Sequence, residues 1–182
     1  MCAARPAMSP TSRRGFTVIE ILVTLGITAV LIAIALPTYA RITQRGRAAA
    51  CLSNLRQIGM ALNVYLGEHN LVFPELAGAR NNTSQEVSSI DTVLLPYAGS
   101  TNVFACPSDA RGLAESTGTS YYWNTALNNQ PLASLNFLGI ITETSRIPIL
   151  GDKEGFHPYA GTRVNILYAD GHVTKELRFF TD

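Results

Sequence analysis

Residues 13–36 read RRGFTVIEILVTLGITAVLIAIAL, and this stretch decides the fold. From Phe16 to Leu36 the only charge is Glu20. A helix of these 21 residues, at ~1.5 Å per residue, covers about the thickness of a bilayer's hydrocarbon core. A buried helix of a soluble domain seldom stays apolar on every face for so long. A secretory signal has a shorter apolar region of ~7–15 residues, with a small-residue cleavage site on its far side. Here the run passes instead into Leu36-Pro37-Thr38-Tyr39. Arginines do not set the orientation: Arg5, Arg13 and Arg14 precede the span, and Arg41, Arg45 and Arg47 follow it.

Outside this stretch the chain has room for one ordinary domain. The charged fraction is 15% of the 182 residues, below the ~25% usual for soluble domains, and most of the deficit lies in the apolar run. Lys and Arg number 14 against 13 Asp and Glu. Without residues 1–15, which hold three arginines and no acid, the balance becomes 11 against 13, a formal charge of −2. That is not the footprint of a nucleic-acid binder, and none is expected as a partner.

The junction Arg13-Arg14-Gly15-Phe16-Thr17-Val18-Ile19-Glu20 resembles the processing site of type IV pilins and of type II secretion pseudopilins. In that superfamily a basic leader ends in Gly, Phe usually opens the mature chain, and Glu is its fifth residue. Gly26 and Pro37 also match positions where the family often places Gly and Pro. The resemblance implies a prepilin peptidase cut between Gly15 and Phe16 on the cytoplasmic side, followed by N-methylation of Phe16. A Gly before the scissile bond lets extended backbone enter a protease cleft without steric penalty. Glu20 lies one helical turn beyond Phe16 on the same face. A carboxylate in an apolar span is costly and calls for a partner. The family assigns that role to the amine of a neighbouring subunit, which makes Glu20 the expected assembly residue.

The expected organisation is a leader over 1–15, a transmembrane assembly helix over 16–37, an amphipathic continuation over 38–66 and a globular head over 67–182. Pro37 should break or loosen the helix. Beyond it, Ile42, Ala48, Ala49, Leu52, Leu55, Ile58, Leu62, Tyr65 and Leu66 recur at steps of three and four and mark one buried stripe. In the head, segment 77–90 reads as a loop and Asp91–Tyr97 as a short helix broken by Pro96. Strands are expected at Ser120–Asn124, Ile147–Leu150, Val164–Ala169 and His172–Phe179. Asp170-Gly171 is a two-residue hairpin signal. The fold class is α+β, pilin-like, with a long N-terminal helix packed on a small antiparallel sheet.

Several phrases resemble one branch of this superfamily, abundant in planctomycete- and verrucomicrobia-like bacteria. They are Cys51-Leu52-Ser53-Asn54-Leu55-Arg56-Gln57-Ile58-Gly59, Val103-Phe104-Ala105-Cys106-Pro107-Ser108 and Tyr168-Ala169-Asp170-Gly171-His172-Val173. Members often end in His-x9-Asp-Gly. Here His157 precedes Asp170 by twelve intervening residues, and Ala160 holds the nine-spaced position. Cys2 lies in the leader, so the mature chain keeps Cys51 and Cys106, an even pair that points to a disulfide in an extracytoplasmic head. Zinc on these cysteines with His69 or His172 lacks short ligand spacing. No cofactor is required by the pattern. Calcium is the one candidate, because some major pseudopilins bind it near the C-terminus; Asp152, Glu154 and Asp170 offer oxygen ligands beside turns.

The expected function is structural: a major-type pseudopilin of a type II secretion-like pseudopilus. The alternatives are a type IV pilus pilin and a pilin-anchored binding domain outside the cytoplasm, for which Tyr121, Tyr122 and Trp123 would form the sugar-binding face. Implied partners are the prepilin peptidase, copies of the chain in a filament, minor pseudopilins, and an inner-membrane platform with a cytoplasmic ATPase. The expected location is the inner membrane, N-terminus in the cytoplasm and head in the periplasm. The chain has no Gly-x-Ser-x-Gly, HExxH or Walker-type phosphate loop, so it is not read as an enzyme. His69, His157 and His172 are expected on turns or strand surfaces.

Overall fold

The computed structural model describes residues 15–157 and 163–175. Helix α1 runs from Val18 to Glu68, and the chain divides into two units, Met1–Arg41 and Ile42–Asp182. In the first unit the apolar window of α1 has a mean hydropathy of 2.6 and buries nothing, so it is long and apolar enough to cross a membrane. Its hydroxyls are absorbed locally. Thr24 donates to the Ile21 carbonyl at 3.0 Å, and Thr28 to the Thr24 carbonyl at 2.7 Å. Such bonds let a polar side chain sit on an apolar helix without an unmet donor.

Pro37 does not break the helix: α1 continues through it into the expected continuation over 38–66. Proline removes one donor, the one that would serve the carbonyl of Ala33. The turns on either side keep their bonds, and Thr38 donates its hydroxyl to the Ile34 carbonyl at 3.0 Å. One lost bond in so long a helix is a local defect.

In the second unit the buried stripe of α1 begins later than periodicity suggested. Ala48, Cys51, Leu55, Ile58, Gly59, Ala61, Leu62 and Leu66 are buried, whereas Ile42 is exposed. This face meets an antiparallel sheet ordered β1 (Tyr121–Trp123), β2 (Pro148–Asp152), β3 (Ile166–Tyr168), β4 (Val173–Thr174). Trp123 stands opposite Leu150, and Leu150 opposite Leu167. Gly59 makes the close approach possible: a Cβ there would lie 3.2 Å from a Leu167 methyl. Phe73 packs beside Trp123, ring centroids 6.2 Å apart. Trp123 donates its indole N–H to Asn128 Oδ1 at 2.7 Å, and Asn128 Nδ2 donates to the Leu76 carbonyl at 2.8 Å. The core aromatic thus also fixes the loop that follows α1.

Cys51 and Cys106 form a disulfide with Cα atoms 5.0 Å apart. It joins α1 to the segment after the 3-10 turn Thr101–Phe104, where Asn54 Nδ2 donates to the Ala105 carbonyl at 2.8 Å. Closing a loop of this length stabilises by about 4 kcal/mol in the chain-entropy picture.

Three local readings change. Ile90–Val93 and Leu95–Ala98 form two helices, α2 and α3, and Pro96 starts the second instead of ending the first. In a first helical turn the missing N–H costs no bond. The β3–β4 connection has three residues, because Tyr168 N–H donates to the His172 carbonyl at 2.9 Å. Only Gly171 there has positive φ, +88°, the geometry of a turn closed by a left-handed residue. Of the His172–Phe179 strand, Val173–Thr174 is observed, and residues 176–179 lie outside the described residues. A short helix α4, Leu113–Thr117, was not foreseen. It sits over a buried ion pair between Arg80 and Asp91, and Gly118 closes it at φ +86°. A Cβ on Gly118 would collide with both partners of that pair.

Asp109 anchors the approach to α4. Its carboxylate accepts from Ala114 N–H at 2.9 Å, Ser120 Oγ at 2.8 Å and Arg111 N–H at 3.2 Å. Partial burial opposes its ionisation, but these hydrogen bonds outweigh that and hold its pKa below the usual carboxylate range. A depressed folded pKa stabilises fully above the unfolded value of about 4, and the contribution disappears as pH falls through the folded value. Asp109→Ala should therefore lower stability at neutral pH by roughly 1 kcal/mol and flatten the acid limb of the melting-temperature profile. A variant that melts like the parent at pH 7 and loses stability in acid as steeply would contradict this.

Candidate functional site

In the first unit, Gly15 and Phe16 stand just before α1, and nothing lies within 4 Å of where a Gly15 side chain would begin. Phe16 is 85% exposed, so the Gly15–Phe16 bond lies in open backbone. Thr17 is the residue before the helix, and its carbonyl accepts from Ile21 N–H at 3.3 Å. Its backbone N–H and its hydroxyl each donate to Glu20 Oε2 at 2.8 Å, while Glu20 N–H donates back to Thr17 Oγ1 at 3.3 Å. This reciprocal pattern is a capping box, Thr-x-x-Glu, which satisfies donors that an α-helix leaves open at its start. The sequence contains its signal, Thr17 and Glu20 three apart, and reasoning from the charge alone passed over it. In the uncut chain the carboxylate is already occupied, by its own helix.

In the second unit the polar residues of the head are distributed unevenly. Asp152, Glu154 and Asp170, the calcium candidates, do not gather into one ligand set. Asp152 is a buried residue at the end of β2, Glu154 pairs with Arg111, and Asp170 pairs with His172 in the β3–β4 turn. His69 stacks on Tyr65 at 3.8 Å and His172 on Tyr168 at 4.5 Å, both exposed as expected. Tyr121 and Trp123 are core residues, and burial raises the Tyr121 phenol's pKa. Tyr122 is half exposed on the other face, beside a groove of about 310 Å³ shared with Phe137 and Ile166.

His157 is the correction. It is 2% exposed, not a surface residue. The chain leaves β2 at Asp152, returns toward β3 at Asn165, and brings His157 between them. Asp152 N–H donates to the Asn165 carbonyl at 3.0 Å, and Asn165 N–H donates to Asp152 Oδ2 at 2.6 Å. His157 Nε2 lies 3.0 Å from that same oxygen, 2.7 Å from Asn165 Nδ2 and 3.8 Å from Cys106 Sγ. Donor atoms of Cys51, Cys106 and His157 all fall within 4.8 Å of one another, and all three residues are buried. Nothing in the sequence flags this grouping: 55 and 51 residues separate its members, where metal motifs show short spacings.

No curated protein and no solved structure matches the chain. Residues 10–36 match the family profile of the prokaryotic N-terminal methylation motif. With the Gly15–Phe16 junction in open backbone, Glu20 in the first turn and an apolar helix behind it, the chain carries the type IV pilin and pseudopilin signature, that of a protein processed by prepilin peptidase.

Proposed function

We propose that the chain is a structural assembly subunit, the major-type pseudopilin of a type II secretion-like pseudopilus. Prepilin peptidase cuts after Gly15, Phe16 is N-methylated, and the subunit enters a filament that supports protein export. The observation that carries this reading is a single carboxylate in the first turn of a helix whose apolar side chains from Val18 to Leu36 are all exposed. Burying those side chains against copies of the same helix removes them from lipid, and Glu20 then needs a cationic partner in the filament core. The freed amine of Phe16 on a neighbouring subunit supplies one. The small head, over residues 67–182, favours a pseudopilin over a pilus subunit. The role is one of assembly and not of catalysis, carried out with minor pseudopilins and driven through an inner-membrane platform by a cytoplasmic ATPase. The N-terminus faces the cytoplasm and the head the periplasm.

Intact mass of the membrane form tests the processing step. The expected species begins at Phe16 and carries one added methyl; an uncut chain, or one cut elsewhere, overturns the reading. Two substitutions separate the roles of the capping box. Glu20→Ala should be cleaved normally but form few filaments. Thr17→Ala removes the hydroxyl that holds the carboxylate and costs the helix start about 1 kcal/mol, yet keeps the charge. It should assemble far better than Glu20→Ala. Normal filaments from Glu20→Ala, seen by electron microscopy of sheared material, would sink the proposal.

A further inference from the structure

The buried group around His157 has no part in assembly through α1, and its composition is unusual for a hydrophobic core. Two sulfurs, an imidazole and a carboxylate converge in one place, and one carboxylate oxygen, Asp152 Oδ1, is buried without a hydrogen-bond partner among the described residues. A buried acceptor left in this way bears an uncompensated desolvation cost. A cation beside it would remove that cost.

We propose that the dithiol form of the head is a zinc site, with Cys51, Cys106 and His157 as ligands, and that the disulfide and the metal are alternative occupants of one position. The distances agree with this assignment. A tetrahedral zinc with Zn–S of ~2.3 Å and Zn–N of ~2.0 Å holds its donors about 3.3–3.8 Å apart. Cys106 Sγ and His157 Nε2 are 3.8 Å apart. The sulfurs, bonded in the disulfide, separate on reduction. Asp152, 3.0 Å from the same ring nitrogen, is the nearest carboxylate for the fourth position. Its backbone link to Asn165 holds the carboxylate in place, as outer hydrogen bonds do around metal ligands. Thiolate and imidazole donors suit zinc and not calcium. A cleft of about 300 Å³ lined by Gln44, Arg47, Ser108, Phe156, His157 and Arg163 reaches the histidine from the surface and provides access.

The chemistry balances in both directions. Loading converts two thiols and Zn²⁺ into a bis-thiolate zinc and releases two protons. Unloading by oxidation passes two electrons from the thiolates to a protein disulfide acceptor. That acceptor takes up two protons and becomes a dithiol, the Cys51–Cys106 bond forms, and Zn²⁺ leaves. A newly made chain that has not yet met an oxidant thus has a way to hold α1 to the head.

The test uses the full chain in detergent, reduced with a phosphine and dialysed against zinc, with bound metal counted by mass spectrometry. One zinc per reduced chain and none per oxidised chain is expected. Cobalt in place of zinc should show thiolate charge-transfer absorption and the visible bands of a tetrahedral ion. His157→Ala keeps both cysteines, so its oxidised form, folded by the disulfide, serves as the folding control. Its reduced form should bind zinc at least tenfold more weakly. A reduced parent chain with the Cys51 and Cys106 thiols both free and no retained zinc overturns the proposal. So does undiminished zinc affinity in His157→Ala, which would mean that the cysteines alone capture the ion.

Discussion

A single helix has to satisfy two different surroundings, and the rest of the chain is arranged around that constraint. Over Phe16–Leu36 every face of α1 is apolar, which suits hydrocarbon and leaves no preferred side. From Ala48 onward one face alone is buried, which suits a half-exposed helix on a sheet. The first half cannot contribute to the stability of the head, since it buries nothing within the subunit. The head must therefore hold α1 with the few turns between Ala48 and Leu66.

That explains the concentration of fixing devices on those turns. Leu55, Ile58 and Leu62 supply apolar burial, Gly59 lets β3 come close, and Cys51 adds a covalent bond. The strands are short, and two to five residues each would be marginal as an independent sheet. Packing against α1 and the Trp123–Asn128–Leu76 bonds makes up the difference. Small domains commonly lean on such staples because their cores bury too little surface.

The anchor was legible in the sequence because its signal is local. Gly15, Phe16 and Glu20 lie within six residues, and the apolar run needs only to be counted. The first three strands were placed within two residues at each end, and the start of the fourth within one, since alternation and turn residues are local as well. What escaped were properties that depend on distant partners or on position within an element. Pro96 reads as a breaker until the helix is known to begin beside it. Pro37 reads as a break until the turns on both sides are seen to hold. His157 was placed on the surface because its burial is created by Asp152 and Asn165, which meet only when β2 and β3 pair. The capping box was a different miss: its spacing was present, and attention to the cost of the charge hid the hydrogen bonds that offset it.

Those hydrogen bonds bear on how Glu20, in its proposed assembly role, is held before it meets a partner. An unpaired Glu20 would favour leaving the apolar phase or taking up a proton. Two donors from Thr17, each at 2.8 Å, offset part of that cost at the helix start. Both donors are neutral groups of the chain's own helix start, so they hold the carboxylate without balancing its charge. A neutral donor pair is weaker than an ammonium partner in an apolar setting. The box is therefore suited to hold the charge without trapping it. In the proposed pathway the amine freed on a neighbouring subunit is the competitor, and the exchange of partners accompanies entry into the filament.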